Sequence, residues 1–382
     1  MENRILHGDS LELLKDLDEN SIDSIVTDPP YGYSFMGKDW DKAVPPIKMW
    51  KECYRVLKPG GFAFIMSAPR SDVHSRMCLM LEEAGFRIDF TPIAWTYATG
   101  FPKAMNIGKA VDKRGENSEQ LDGSYAGYQP KPAWENVIVC MKPLDQKGYL
   151  DQALNNGKGV TWLDGVRIPF SGMEDVEQND YERVSAFGDA GESETEDGRN
   201  LWGKKATKKV KITNRKPREE NTVFKTSGFK SENNDTAEAS PLGRFAANLL
   251  VQDDVLNPDD FSRYYDLDAW WEERIQELPL DVQATYPFLI VPKASKSEKN
   301  KGTDEKNFHP TVKPISLMSY LVTLGSREDD LVLDPFVGSG TTCIAAKLLN
   351  RKYIGMEMDS EYVVIAQERI KAHKTEAKHD FF

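Results

Sequence analysis

The chain has 382 residues, 40% hydrophobic and 29% charged, which is the composition of a globular protein built as two or three domains or as one large α/β unit with an insertion. No run approaches the roughly 20 consecutive apolar residues that a membrane-spanning helix needs. Met1 leads straight into a strand-like segment with no room for a signal peptide, so a cytoplasmic protein without membrane partners is expected. The net charge of -12 argues against indiscriminate binding to nucleic acid, because affinity for that polyanion comes largely from neutralised phosphates. The four cysteines, Cys53, Cys78, Cys140 and Cys343, show no metal-ligand spacing and read as reduced core residues, so no metal site is expected.

In the first block, 1–145, short apolar runs alternate with helical patterns, which predicts a mainly parallel sheet. Strands are expected at 3–6, 22–27, 62–67, 88–97 and 136–141. Helices are expected at 47–58, stopped by Pro59-Gly60-Gly61, and at 71–84, stopped by Gly85. His74 lies on the second helix with no matched partner and reads as an ordinary surface or core histidine.

Directly after the strand at 22–27 comes Asp28-Pro29-Pro30-Tyr31. Two prolines hold a loop extended and remove two amide donors. What remains is a cluster of acceptors: the carbonyls of Asp28 and Pro29 and the Asp28 carboxylate. Such a cluster suits an amino group, whose hydrogens it holds while the nitrogen lone pair turns toward an electrophile. The carboxylate also stabilises positive charge growing on that nitrogen. Tyr31 supplies a flat face for stacking a base. A surface turn that happens to contain two prolines is the competing reading, but the C-terminal end of a strand is where α/β sites form.

The middle block, 146–290, is rich in Gly, Asn, Ser, Asp and Glu, with apolar islands at 165–169 and 243–250. Its thin core predicts an inserted domain with long loops. Charge is segregated within it: residues 171–200 hold ten acidic against two basic side chains, and residues 201–230 hold ten basic against two acidic. Lys204, Lys205, Lys208, Lys209, Lys211 and Arg215 are the best candidates for phosphate contacts, against the plainer reading of a solvated charged loop. Tyr264-Tyr265 and Trp270-Trp271 read as packing residues.

The last block, 291–382, returns to α/β, with a helix at 314–324, a strand at 331–334, a helix at 341–350, a strand at 353–357 and a final helix from Ser360. A polar, frayed tail follows at 374–382. The strand at 331–334 runs into Asp334-Pro335-Phe336-Val337-Gly338-Ser339-Gly340-Thr341-Thr342, where glycines let the backbone turn sharply and approach a ligand. Glu357 ends the next strand, where a carboxylate can accept from ribose hydroxyls. The dinucleotide fingerprint would need a third glycine at position 343, which is Cys343. The loop therefore favours a nucleoside without a pyrophosphate, such as S-adenosylmethionine.

The Asp28-Pro29-Pro30-Tyr31 loop, followed late in the chain by the Asp334-to-Thr342 loop, resembles the amino-methylating DNA methyltransferases, and the order of the two loops resembles their β class. Leu6-His7-Gly8-Asp9-Ser10 resembles that family's opening strand and loop, which implies that Asp9 contacts the cofactor adenine. His309-Pro310-Thr311-Val312-Lys313-Pro314 resembles the segment closing over the methionine moiety, and Tyr353-Ile354-Gly355-Met356-Glu357 the ribose-binding strand. The resemblance implies a seven-stranded Rossmann-like methyltransferase sheet, a target-recognition domain at 146–290, and S-adenosylmethionine held by Asp9, Asp28, His309, Thr311, Lys313, Asp334, Pro335, Phe336, Gly338, Ser339, Gly340, Thr341, Thr342 and Glu357. It implies double-stranded DNA as partner and a flipped target base, and it admits a homodimer and a partner restriction endonuclease. Adenine N6 is the expected acceptor because the loop opens with Asp, whereas Ser there is commoner in cytosine-N4 enzymes. The competing readings are a cytosine-N4 enzyme, a methyltransferase for RNA or protein, and a catalytically silent DNA-binding module.

Overall fold

The computed structural model describes residues 2–32, 43–97, 104–128, 130–170, 243–252, 266–276, 299–303 and 312–373. Its strands are β1 (Arg4–His7), β2 (Ile22–Thr27), β3 (Leu57–Ser67), β4 (Ile93–Thr96), β5 (Trp134–Met141), β6 (Leu249–Val251), β7 (Leu331–Asp334) and β8 (Lys352–Glu357). Its helices are α1 (Ser10–Lys15), α2 (Ile47–Val56), α3 (Ser71–Ala84), α4 (Ile107–Asp112), α5 (Tyr149–Asn156), α6 (Leu267–Gln276), α7 (Ile315–Gly325), α8 (Thr341–Leu348) and α9 (Ser360–Ala372). The strands form one sheet in the order β1-β8-β7-β2-β3-β5-β4-β6. All pair in parallel except β5, which runs antiparallel to both β3 and β4.

Both faces of the sheet are covered. Along β3, Phe62, Phe64 and Met66 point into one apolar cluster with α6, α7, α8 and Ile370 of α9, while Ala63 and Ile65 point into another with α1, α2 and α3. This alternation is the period of two expected of a pleated strand. Every residue of β2 is buried, as a central strand covered on both sides requires.

The α/β class is as expected, and among the described residues the sheet has eight strands where seven were expected. The extra strand is β6, from the 243–250 island that the sequence placed in the inserted domain. It pairs with β4 at the sheet edge. Helix α6 also packs into this unit: Trp270 and Trp271 are fully buried, and Trp270 meets Tyr320 of α7 edge-on at 5.1 Å. The two compact units are Met1–Ile168 with Phe245–Phe382, and Pro169–Arg244. Within the second unit the Arg244 guanidinium donates to the Pro169 carbonyl and lies over the Phe170 ring at 5.1 Å. Both charge blocks and the basic residues Lys204 to Arg215 lie outside the described residues, as do Tyr264 and Tyr265.

Two element boundaries differ for clear local reasons. The strand expected at 88–97 begins at Ile93, because Pro92 has no amide to donate to the ladder. Helix α2 ends at Val56 and β3 begins at once, so Pro59-Gly60-Gly61 lies inside the strand. Gly60 bends there with φ +76°, and a Cβ on it would sit 2.7 Å from the Gly159 amide nitrogen. Among the described residues no helix is long and apolar enough to cross a membrane, and the four cysteines are free.

At the N-terminal end of β2, the buried Asp23 binds the sheet together. Its carboxylate accepts from Lys58 Nζ at 2.6 Å, from Lys158 Nζ at 2.8 Å and from the Leu331 amide of β7 at 2.9 Å. Burial alone would raise its pKa, but the Leu331 amide and the two ammonium groups outweigh that and hold it below the usual carboxylate value. A depressed acid contributes stability above its unfolded pKa of about 3.9, and loses it as pH falls through the lower folded value. Asp23→Ala leaves Lys158 paired with Asp330 at 2.9 Å but leaves the Leu331 amide without its acceptor, and is expected to destabilise by about 1–3 kcal/mol at pH 7. The deficit should shrink on acidification below pH 4, as read by denaturant unfolding.

Candidate active site

The C-terminal ends of β1, β8, β7 and β2, four adjacent parallel strands, deliver four loops to one edge of the sheet. At the end of β1, Gly8 donates to the Glu357 carbonyl at 2.9 Å, and the exposed Asp9 caps α1 by accepting from the Leu11 amide at 2.8 Å. At the end of β8, both oxygens of Glu357 are fixed by backbone amides, Oε2 by Gly338 at 3.0 Å and Oε1 by Asp359 at 2.9 Å. Burial raises the Glu357 pKa, and those amides oppose the rise.

The glycine-rich loop leaves β7 through Asp334, which is buried and turned into the loop it begins. Its Oδ1 accepts from Thr27 Oγ1 of β2 at 2.6 Å and from the Phe336 amide at 3.0 Å. Burial nonetheless raises its pKa to about 6, with the Thr27 and Thr342 hydroxyls and the Phe336 amide pulling the other way. Gly338 and Gly340 take φ of +50° and +89°, the left-handed region that favours glycine. From behind, Arg369 of α9 donates to the Ser339 carbonyl at 2.5 Å and the Ser339 hydroxyl at 2.8 Å, and Ser10 Oγ holds the Pro335 carbonyl at 2.6 Å. Ser339, Thr341 and Thr342 are buried side chains that brace the loop, whereas Phe336 is half-buried.

The donor set at these three loops fits an adenosine-bearing cofactor. The Glu357 carboxylate, pre-oriented by two amides at the tip of β8, and the Asp9 carboxylate at the tip of its neighbour β1 are acceptors for hydroxyl and amino groups. The half-buried Phe336 ring, 6.2 Å from that of Trp50, adds an apolar surface at the glycine-rich loop.

Beside this loop, at the end of β2, stands Asp28-Pro29-Pro30-Tyr31. Asp28 Oδ1 accepts from the Tyr31 hydroxyl at 2.6 Å, and Oδ2 accepts from Lys313 Nζ at 2.5 Å. The same ammonium lies 3.3 Å from Glu135 Oε2 of β5 and 5.6 Å from the centre of the Tyr31 ring. Glu135 also accepts from Tyr97 at 3.2 Å. Burial raises the Asp28 pKa, Lys313 opposes this, and the Glu135 charge adds to it. For Lys313 burial works against the ammonium, but the two carboxylates outweigh it and hold the pKa above the usual lysine value.

Lys313 therefore lies against the Asp28-Pro29-Pro30-Tyr31 loop; His309 and Thr311 of its segment lie outside the described residues. His74 is half-buried, with Asn136 Nδ2 3.3 Å from its Nδ1, and stands among structural partners. Sequence reasoning missed Glu135, Tyr97 and Arg369. The one signal for Glu135 was an acid at the head of an otherwise apolar strand, and for Arg369 an arginine on the apolar side of the last helix.

The sequence model of the DNA methylase family matches residues 22–368. The chain is 25% identical over 381 residues to the Type II methyltransferase M.HpaI of Haemophilus parainfluenzae, covering 97% of this chain and 74% of that protein. It is 40% identical over 91 residues to the Type II methyltransferase M2.MboI of Moraxella bovis, a match that spans 24% of this chain and about a third (32%) of that protein. Among solved structures, the M1.HpyAVI–SAM complex aligns with 18% identity and a TM-score of 0.42 over 96% of this chain and 98% of the other. The cytosine-N4-specific PvuII DNA methyltransferase aligns with 18% identity and a TM-score of 0.44 over 96% and 85%. Because the family match runs from β2 through the glycine-rich loop to the last helix, the chain belongs to the DNA methylase family of N6/N4 amino-methyltransferases, whose methyl donor is S-adenosylmethionine.

Proposed function

We propose that this DNA methyltransferase acts on the N6 amino group of adenine in duplex DNA. The observation that carries the reading is the Asp28-Pro29-Pro30-Tyr31 acceptor cluster standing one hydrogen bond, Thr27 to Asp334, from the glycine-rich loop. In this reading Asp9, Phe336, Glu357 and the backbone of Pro335, Gly338 and Gly340 hold the cofactor, which supplies an electrophilic methyl group. Arg369, Ser10, Ser339, Thr341, Thr342 and the Asp334 carboxylate hold the loop that holds it.

The target base leaves the duplex, at a few kcal/mol of unstacking, and lies against the Tyr31 ring. The Asp28 carboxylate and the Pro29 carbonyl take the two amino hydrogens, which fixes the direction of the nitrogen lone pair. Positive charge then grows on the nitrogen beside an ionised carboxylate in a water-poor pocket, where the attraction is strong. The proton shed by the methylated nitrogen leaves along the hydrogen bond to Asp28 and on to solvent. Adenine is favoured over cytosine by the Asp that opens the loop. The unit Pro169–Arg244, with its basic run from Lys204 to Arg215, serves target recognition in this reading, by its place in the chain between the two chemical loops and by its charge.

Asp28→Ala is expected to lower methyl transfer to DNA by at least 10²–10³-fold while leaving cofactor affinity unchanged. Tritiated cofactor incorporation and calorimetry measure the two quantities, and near-normal transfer would refute the assignment of Asp28. Nucleoside mass spectrometry of the product DNA should find N6-methyladenine; N4-methylcytosine would overturn the choice of base. Reversing the charges of Lys204, Lys205, Lys208, Lys209, Lys211 and Arg215 should weaken DNA binding and flatten its salt dependence by about 0.9 in log–log slope for each phosphate no longer neutralised. An unchanged slope would mark the run as a solvated loop.

A further inference from the structure

Lys313 is an almost fully buried lysine that is not on the cofactor loops. It comes from the turn preceding α7 and ends between two carboxylates from separate elements, Asp28 after β2 and Glu135 on β5. A buried ammonium is costly unless it is paired, and this one is paired twice. One of its partners is the carboxylate that methyl transfer, as read above, requires to be ionised. The other is a second carboxylate close enough to make that ionisation harder.

We propose that Lys313 and Glu135 are positioning residues that together set whether Asp28 stands ionised when the target amino group arrives. This rests on the assignment of Asp28 made above. Two opposed influences meet on Asp28. The ammonium at 2.5 Å favours the charged carboxylate, and the Glu135 charge, 3.3 Å from the same ammonium and 3.4 Å from the Tyr31 hydroxyl, disfavours it. Among the described residues the other titratable groups facing Asp28 are Tyr31 on its own loop, whose hydroxyl donates to Oδ1, and Asp334 at the end of β7; Tyr97, just after β4, reaches the group through Glu135. Burial pushes the phenols of Tyr31 and Tyr97 up, so both stay neutral donors. The pair therefore acts as a setting rather than a simple stabiliser: removing one member raises the Asp28 pKa and removing the other lowers it.

The signs give the test. The acidic limb of the pH profile of single-turnover methyl transfer reports Asp28 losing its proton. Lys313→Met removes the favourable cation, so the limb should move to higher pH by roughly one unit or more. Glu135→Gln removes the unfavourable charge at nearly constant shape, so the limb should move to lower pH. Lys313→Arg keeps the cation and should leave the limb near its original position. Limbs that stay in place, or that move in the same direction in Lys313→Met and Glu135→Gln, would overturn the proposal, whatever happens to the maximal rate. If Lys313→Met no longer binds the cofactor as a folded protein does, the downward shift in Glu135→Gln and the unmoved limb of Lys313→Arg decide the matter. Asp28→Ala run alongside separates two failures: an active variant refutes the assignment of Asp28, and an inactive one with unmoved limbs refutes only the pair.

Discussion

The parallel pairing of β2 with β7 joins segments about 300 residues apart, and the chemistry rests on it. The pairing is sealed at its C-terminal end by Thr27 donating to Asp334, and at its N-terminal end by Asp23 accepting from the Leu331 amide. Between these bonds the two strands are held in one register, Ser24 with Val332 and Ile25 with Leu333. A slip of one residue would turn each side chain of β7 to the opposite face. It would also break both seals and carry the acceptor cluster away from the glycine-rich loop. The long connection between the strands is no obstacle, because each doubling of a flexible loop costs only about 0.6 kcal/mol in closure entropy. A compact unit can therefore be inserted between the two chemical loops without weakening the seam that brings them together.

At that edge two largely buried aspartates are handled in opposite ways. Asp334 is met by neutral donors, two hydroxyls and an amide, and burial leaves its pKa near 6. It is a bracket for the glycine-rich loop, and its charge is not needed outside it. Asp28 has a full ammonium at one oxygen and a phenol at the other, in a site where burial would otherwise neutralise it. On the proposed mechanism, the difference separates an acid whose geometry matters from one whose charge does.

What the sequence made legible follows the range of the forces involved. Strands β2 and β7 have the bounds expected of them, because an apolar run stops at a proline or glycine signal within a few residues. Helix α3 likewise runs from Ser71 to Ala84 and stops at Gly85, which takes φ +109°. The edge strand β6 was hidden, since three residues give no periodicity and the flanking Gly and Asn suggested a loop. The Trp270-Trp271 pair was read as packing, and its place proved to be the sheet's own core beside Tyr320. The two loops of the site announced themselves through local backbone chemistry. The ion group of Asp28, Lys313 and Glu135 did not, because its members are far apart in sequence and meet only when the sheet is assembled.

The reversed strand decides which of its residues joins that group. In a parallel sheet every strand offers its last residues to the active edge, as β1, β2, β7 and β8 do here. Strand β5 runs the other way, pairing Asn136 with Ser67 at the end of β3 and Met141 with Phe62 at its middle. Its first residues, Trp134 and Glu135, are thus the ones at the edge, next to Tyr97 after β4. Had β5 been parallel, the apolar Cys140 and Met141 would stand there, with no charge to set against Lys313. The antiparallel insertion of one strand places a carboxylate within reach of a lysine distant in the chain, and so gives Asp28 a second charged neighbour.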